Sequence, residues 1–566
     1  MEKMNRKNIW FVALVIAFIL LIVLIFLLNK PIMQNLSLVP VPDVTSNNQS
    51  IYGFEDPQWW EHAVFYEIFV RSFNDSNGDG IGDFAGLTSK LDYLNDGDPS
   101  TDTDLGITAI WLMPIFPSPS YHGYDVTDYY SINPDYGTME DFNLFLNEAH
   151  KRGIHVILDF VINHTSVEHP WFVNSLDINN EYRDWYIWSE SNPGYKGPWG
   201  QDVWFPSSGM FYYSVFWQGM PDLNYRNANV TAEMNKAASY WINDIGVDGF
   251  RIDGAKHLIE DEKIQANSKE TIAWFQSFYD LYKGWNAKAM TVGEVWDSSN
   301  NITTYLESES FDMVFNFDLA GDIISMVNSG QANSLGSSIT TESYLFQGYT
   351  MGTFLTNHDM DRVMSQLNNN QDFAKNAATI LLTSPGTPFI YYGEEIGMTG
   401  EKPDEKIRTP MQWTGEDLAG FTTGKPWQSI NSNYPEVNVA LESVDPQSLL
   451  SHYRDLNRIR LTNSALLEGK FIKVNVSSPQ LFAGLRAEDL EAVLTIVNLK
   501  NTEVENPTFS FKKDLNPGLY NVDLLLGDKP FSESINLVQV GEKIDFSLPI
   551  TVMPYENLII KLIPIN

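Results

Sequence analysis

The 566-residue chain contains no cysteine. Disulfide bridges, thiolate nucleophiles and a lipid-modified N-terminal cysteine are therefore excluded. Basic residues are scarce: 36 Lys and Arg stand against 72 Asp and Glu, a formal net charge of −36. Such a surface repels nucleic acid, so no nucleic-acid partner is expected, and its plainest consequence is solubility. There is no G-x-S-x-G turn to present a serine nucleophile and no G-x-x-x-x-G-K-[ST] loop to cradle phosphates. Against these scarcities stand 43% hydrophobic and 13% aromatic residues. That is ample for a large core, and the length suggests more than one domain.

An uncharged apolar run from Ile9 to Leu28 follows Lys3, Arg6 and Lys7. It is long enough to span a bilayer as a helix and longer than a usual signal-peptide core, and no A-x-A-like site follows. Residues 1–30 are therefore expected to form an uncleaved transmembrane anchor at the cell membrane. The basic end would lie in the cytoplasm and the bulk of the chain would be extracytoplasmic. The alternative is a signal peptide, cleaved to release a secreted protein. Residues 31–54, polar and proline-containing, read as a linker.

Beyond it, one layout recurs: an amphipathic helix, a glycine, then an apolar strand. In TMEDFNLFLNEAHKRGIHVILDFVINH, Thr138 with Asp141 makes a helix cap and Gly153 a stop; Thr231 and Gly246 are assigned the same places in the next unit. Eight strand candidates follow: 63–73, 107–116, 154–164, 246–255, 289–296, 312–319, 349–359 and 386–397. Near-continuous apolar strands alternating with helices predict an α/β fold, a (β/α)8 TIM barrel over residues 55–467. The long gap after the third strand, rich in Trp, Tyr, Asn and Gly, predicts an inserted domain over 165–225. From 468 to 566 short strands without helical period predict a C-terminal β-sandwich.

Polar residues collect where these strands end, which is where such barrels carry their chemistry. The third ends with Asp159, Asn163 and His164; the fourth, GVDGFRIDGAKH, with Arg251, Asp253, Lys256 and His257. The fifth carries Glu294, and the seventh His358, Asp359 and Arg362; His122, Tyr124 and Asp125 follow the second. Any one of these alone reads as a solvated or salt-bridged loop residue. Four acids aimed at one rim suit glycosidic bond cleavage, which needs an ionised carboxylate nucleophile and a protonated carboxylic acid. Arg251 and Asp253, two apart on a strand, share a face, so the arginine would keep Asp253 charged. Glu294, between Gly293 and Val295-Trp296, has the less polar setting a proton donor requires.

DFVINH, GFRIDGAKH, GEVW, FLTNHD and MPDLNY (220–225) closely resemble, in chain order, the motifs of glycoside hydrolase family 13, the α-amylase family. The resemblance runs from about residue 55 to the C-terminus. It implies Asp253 as nucleophile, Glu294 as general acid/base and Asp359 as the third carboxylate. It places Arg251, His164 and His358 around the sugar at the cut, with Tyr124 as its aromatic platform, His122 beside it and Asp159 supporting the arginine. Arg362 counts among the sugar-binding residues. The implied mechanism is retaining, which predicts carboxyls of Asp253 and Glu294 about 5–5.5 Å apart. MPDLN resembles a group intermediate between oligo-1,6-glucosidases and neopullulanases that includes membrane-associated α-amylases. Lys256-His257 resembles the pair with which α-amylases touch the sugar beyond the cut. The implied activity is endo-hydrolysis of α-1,4 bonds in starch-like α-glucans and maltooligosaccharides, by a monomer. The aromatics of 171–217 either stack on further glucose units or serve ordinary packing.

DSNGDGIGD places Asp75, Asn77, Asp79 and Asp83 at alternate positions of a glycine-rich turn, oxygen ligands at a spacing that suits Ca²⁺. It resembles a calcium loop of oligo-1,6-glucosidase-like members; the plain alternative is a solvated acidic turn. The resemblance also implies a second calcium through Asn163, Asn224 and the carbonyl of His257, although Asn224 stands where the family has Asp. Neopullulanase, cyclomaltodextrinase, α-glucosidase or transglycosylase activity is the alternative within the family. A non-enzymatic, amylase-like transporter ectodomain is disfavoured: those proteins lack the full acid set and use a cysteine near the membrane. A glucan-binding sensor without turnover is a third alternative.

Overall fold

A computed structural model describes residues 53–565 except 262, 333, 489–490 and 528–533. The expected membrane helix, residues 1–30, and nearly all of the linker lie outside the described residues. Among those described, no helix is long and apolar enough to cross a membrane.

Eight strands close a parallel barrel: β1 (Phe65–Ile68), β2 (Ala109–Leu112), β3 (His155–Phe160), β4 (Gly249–Ile252), β5 (Met290–Gly293), β6 (Met313–Phe315), β7 (Thr350–Phe354) and β8 (Thr387–Tyr391). Each pairs with its neighbours in sequence, and β8 returns to β1. Every strand falls inside one of the eight predicted segments but is shorter. Pairing stops at the barrel rim, and apolar residues beyond it, such as Val70 and Phe73, turn into a short buried helix, Val70–Phe73.

Alternation along the strands sorts side chains into two sets. Phe65, Trp111, Ile157, Met290, Val292, Met313, Phe315, Phe354 and Phe389 fill the barrel interior with Trp59 and Trp60. The other faces pack against the helices in a much larger cluster. Gly249 has a backbone reason: a Cβ there would come 2.0 Å from the Met290 carbonyl oxygen, so only glycine lets β4 approach β5.

The helix Met139–Lys151 begins with the expected cap, Thr138 and Asp141 bonding each other's backbone amides. The next helix corrects the reading: Asn227, not Thr231, caps Ala228–Ser239, and Thr231 lies inside it. Asn227 is earlier because its side chain accepts the Asn229 amide, the ordinary choice for a cap. Gly246 does stop that unit, in the left-handed conformation at φ 92°.

Between β3 and β4 the chain leaves the barrel. Strands Trp188–Ser189, Trp204–Ser207 and Met210–Tyr213 form a small antiparallel sheet over Val203, Tyr213 and Val215. Past the barrel, eight antiparallel strands between Lys470 and Pro564 surround their own core. The predicted sandwich is here one closed ring. Lys470–Val476 pairs through its first half with Leu481–Glu488 and through its second with Thr508–Lys512. Ser534–Val540 likewise joins Gly518–Leu526 to Lys543–Ser547. Two strands shared in this way leave no open edge between the layers.

Candidate active site

Register builds the centre of the site. Pairing of β3 with β4 sets Asp159 opposite Arg251, both pointing into the barrel at its upper end. The Arg251 guanidinium is wholly buried. Its NH1 donates to both oxygens of Asp159, at 2.8 and 3.0 Å, and to Asp253 Oδ1 at 2.7 Å. Its NH2 lies 2.7 Å from Glu294 Oε2, a charge contact whose N–H is not aimed at the oxygen. One cation therefore touches carboxyls that leave β3, β4 and β5. The rings of Trp111 and Tyr124 cover it at 5.2 and 5.8 Å. Gly254 turns the chain left-handed just after Asp253, and its amide donates to Glu294 Oε2 at 3.1 Å.

Burial raises the carboxyls of both Asp253 and Glu294, with Arg251 opposing in each case and Asp359 pushing both up. Asp253 also raises Glu294 directly, so the two acids titrate together. The aligned bond from Arg251 favours charge on Asp253, and the Gly254 amide lowers Glu294. Asp359 is different. Burial works to raise it too, but His358 and then Arg408 outweigh burial and hold it well below the usual carboxylate range. Arg408 NH2 donates to Asp359 Oδ1 at 2.8 Å, and its Nε to the His358 carbonyl at 2.9 Å.

His358 is pinned from both ring nitrogens. Nδ1 meets Glu67 at 2.5 Å, while Nε2 faces Asp359 at 3.2 Å and the Tyr124 hydroxyl at 2.5 Å. Burial alone would keep this ring neutral; Asp359 and Glu67 reverse that and push it up to about 10. The Tyr124 hydroxyl also donates to Asp159 at 2.9 Å, which links the Arg251 cluster to the Asp359 cluster. His164 bonds the Tyr124 carbonyl through Nε2 at 3.0 Å and is kept neutral by burial, its value pushed down to about 4. His122 stands beside Tyr124, its Nδ1 near Ser120 Oγ at 3.0 Å. Lys256 and His257 leave the same strand end. Lys256 Nζ donates to the Trp296 carbonyl at 2.5 Å, and His257 Nδ1 bonds the Gln265 carbonyl at 2.7 Å.

Arg362 stands apart from this group. Its guanidinium points to the carbonyls of Ile407 and Tyr392 and lies over the rings of Tyr391 and Tyr392. The arginine at Asp359 is Arg408, 49 positions further on, in the irregular segment EKIRTPMQW. Nothing in that segment's pattern announces it. Glu67 did leave a signal: it is the lone acid of VFYEIFV and only 1% exposed, so its charge requires a partner.

The 75–83 turn is bound to itself. Asp75 accepts the amides of Asn77, Gly78 and Gly80 and the Thr422 hydroxyl; Asp83 accepts from Ser76 and Gly86. Asn77 and Asp79 each accept one amide and keep oxygen lone pairs free. The donors are all oxygen, as calcium requires, but among the described residues no group of three His, Asp or Glu side chains is arranged to hold a metal ion. The other expected set is corrected: Asn224 bonds the Asp184 carbonyl, and the residue beside Asn163 is Asp222, 3.1 Å away. The chain enters a turn after the bridge residues Asp222 and Leu223, so strict alternation is lost: Asp222, Leu223 and Tyr225 are buried while Asn224 is half-buried. Asn163 Oδ1 is buried without a partner, an atom that fits a ligand's presence.

The family profile described as Alpha amylase, catalytic domain, matches residues 67–469. Alpha-amylase 3 of Dictyoglomus thermophilum is 42% identical over 473 residues, which cover 82% of this chain and 89% of that protein. An oligo-1,6-glucosidase of Bacillus cereus is 32% identical over 596 residues, covering 90% and 100%. The crystal structure of an alpha-amylase from H. orenii superposes with a TM-score of 0.77 at 41% identity, covering 89% of this chain and 99% of that one. The chain belongs to glycoside hydrolase family 13, the α-amylase family, and is a glycoside hydrolase.

Proposed function

We propose that the chain is a retaining endo-hydrolase of α-1,4-glucosidic bonds in starch-like glucans and maltooligosaccharides. The observation that carries this is the single buried guanidinium of Arg251 in contact with both Asp253 and Glu294. A nucleophile and an acid on one cation support the retaining reading, which requires their carboxyls about 5–5.5 Å apart. Asp253, ionised by its aligned bond to Arg251, attacks the anomeric carbon while Glu294 gives its proton to the departing glucosidic oxygen. Water then enters, Glu294 takes its proton, and the sugar–Asp253 bond breaks. Asp359, held charged by His358 and Arg408, grips the hydroxyls of the same ring as it flattens. Tyr124 closes the other side.

Endo-cleavage of α-1,4 bonds is favoured by the higher identity to two α-amylases, 41–42%, than to the oligo-1,6-glucosidase, 32%. The second reading, an exo-acting oligo-1,6-glucosidase, rests on the full-length match to that glucosidase. Early products decide: mixed maltooligosaccharides from amylose support the first, and glucose released from isomaltose supports the second. Two further parts of the proposal rest on sequence. Residues 1–30 are proposed to anchor the enzyme outside the cytoplasm. The oxygen-rich 75–83 turn is proposed to hold calcium as a structural brace, with no part in the chemistry.

A further inference from the structure

Two cations of the site face one buried ring. Trp111 on β2 is 1% exposed and stands inside the barrel. Pairing sets it opposite Glu67 on β1 and opposite Ile157 on β3, two residues before Asp159. The Arg251 guanidinium lies over its indole at 5.2 Å, and the His358 imidazole meets it near-perpendicular at 5.5 Å. Phe315 and Phe389 pack beside it at 5.5 and 6.3 Å. Tyr124 touches the same two cations, but its hydroxyl also bonds Asp159 and His358. Trp111 makes no such bond, so its contribution comes from its ring.

The indole N–H of Trp111 has no hydrogen-bond partner among the described residues. A buried indole N–H ordinarily finds one, and leaving it without one is unfavourable. Phe65, Phe315, Phe354 and Phe389 fill other parts of the same interior without that cost. What an indole adds over a phenyl ring is a more negative face, the best of the aromatic side chains for holding a cation. The attraction is strongest where the cation is stripped of water. Both cations here meet that condition: the Arg251 and His358 side chains are each 0% exposed. His358 has Glu67 at one ring nitrogen and Asp359 at the other, an arrangement that favours the imidazolium.

We infer that Trp111 is a positioning residue of the hydrolysis, its indole holding the Arg251 guanidinium and the His358 imidazole where they orient Asp253 and Asp359. The inference rests on the reading of those two carboxylates as groups that act on the sugar. Trp111 acts only through the cations. Arg251 reaches Asp253 at 2.7 Å, and His358 reaches Asp359 at 3.2 Å. A shift of either cation therefore displaces a carboxylate from the reacting ring, where small displacements slow the reaction strongly. Tyr124 ties the two clusters together by hydrogen bonds, and Trp111 ties them by its ring.

The test keeps the shape of the side chain and changes its charge distribution. Fluorinated tryptophans, placed at residue 111 alone by stop-codon suppression, weaken the negative face stepwise as fluorines are added. On maltohexaose kcat should fall with each step, to about tenfold below the wild type for the tetrafluoro ring. KM should move by less than about twofold, as expected for a group that contributes only in the transition state. A kcat that does not change with fluorination overturns the inference and leaves Trp111 a filler of the barrel. A second pair bears on the same point, because Trp111→Phe keeps a ring and Trp111→Leu does not. Among folded enzymes, phenylalanine should retain about threefold or more of the kcat that leucine retains, and equal losses overturn the inference. Thermal melting shows which variants fold, and the fluorinated series decides alone should leucine fail. An active Asp253→Asn enzyme would instead defeat the reading on which the inference rests. Should the wild type leave maltohexaose intact and cleave isomaltotriose, the α-1,4 reading fails, and the same series is run on isomaltotriose.

Discussion

Replacing Glu67 by glutamine probes the charged floor of the site. The His358 imidazole, buried and thereby driven toward neutrality, is carried by Asp359 and Glu67 from an ordinary 6.5 to about 10. At about 1.4 kcal/mol per pH unit, this favours the charged ring by about 5 kcal/mol. Glu67 meets Nδ1 at 2.5 Å and Asp359 lies 3.2 Å from Nε2. An even division gives Glu67 about 2 kcal/mol. Glutamine keeps the size and an oxygen acceptor but removes the charge, so His358 should titrate between about 8 and 9 in Glu67→Gln. The sign follows from linkage. A cation whose folded pKa is raised stabilises the fold fully below its unfolded value near 6.5 and loses that contribution as pH rises through about 10. Urea unfolding should show the variant about 2 kcal/mol less stable at pH 6 and no less stable above pH 10. A stability loss that does not vary with pH would refute the charge-pair reasoning and leave Glu67 a packing residue.

Glu294→Gln should cut kcat on maltohexaose by about 10²–10⁴, the usual contribution of a general acid, yet spare an α-glycosyl fluoride, whose leaving group needs no proton. Equal loss on both substrates would remove Glu294 from that role. Arg408→Ala should lower kcat/KM of the folded enzyme as well as its stability, because Asp359 loses a partner, whereas Arg362→Lys should lower stability by about 1.5–3 kcal/mol, as for lost charged hydrogen bonds, without altering kcat/KM of the folded enzyme. The reverse pattern would restore Arg362 to the sugar site. Burial pushes Glu394 up to about 8, so its carboxyl is folded neutral; stability should fall as pH rises from about 4.5 through 8, and Glu394→Gln should flatten that fall. Parallel pH curves for variant and wild type would contradict it. EGTA should lower the melting temperature if the 75–83 turn holds calcium, and an unchanged melt removes the brace.

The barrel was legible because its strands are short apolar runs, most of them set off by a glycine, and eight such runs admit few arrangements. Arg251 and Asp253 were legible for the same reason: two charges in step on an apolar strand require partners. Asp159 was picked out by its place at the end of β3, but only the family resemblance made it the partner of Arg251, which the register now places opposite it. Arg408 was not legible, because a loop with no period gives no clue to which strand end it folds over. Arg362 misled in the opposite way: it follows Asp359 closely in sequence, but the turn after β7 carries its side chain beneath the rim. Asn224 misled because sequence order at the end of MPDLN does not say which side chain faces Asn163; the chain turns there, and Asp222 bonds Asn163 while Asn224 bonds the Asp184 carbonyl. The sandwich became a ring because two strands long enough to serve both layers look, in sequence, like any other strands.

The measurement that bears most directly on the account is the covalent step. A slow fluorinated α-glycosyl fluoride should leave one sugar on the enzyme, and peptide mass spectrometry should place it on Asp253, with the first-released product carrying the α-anomeric configuration. Label on any other residue, or a β-configured first product, would contradict the assignment of Asp253 and Glu294 around Arg251.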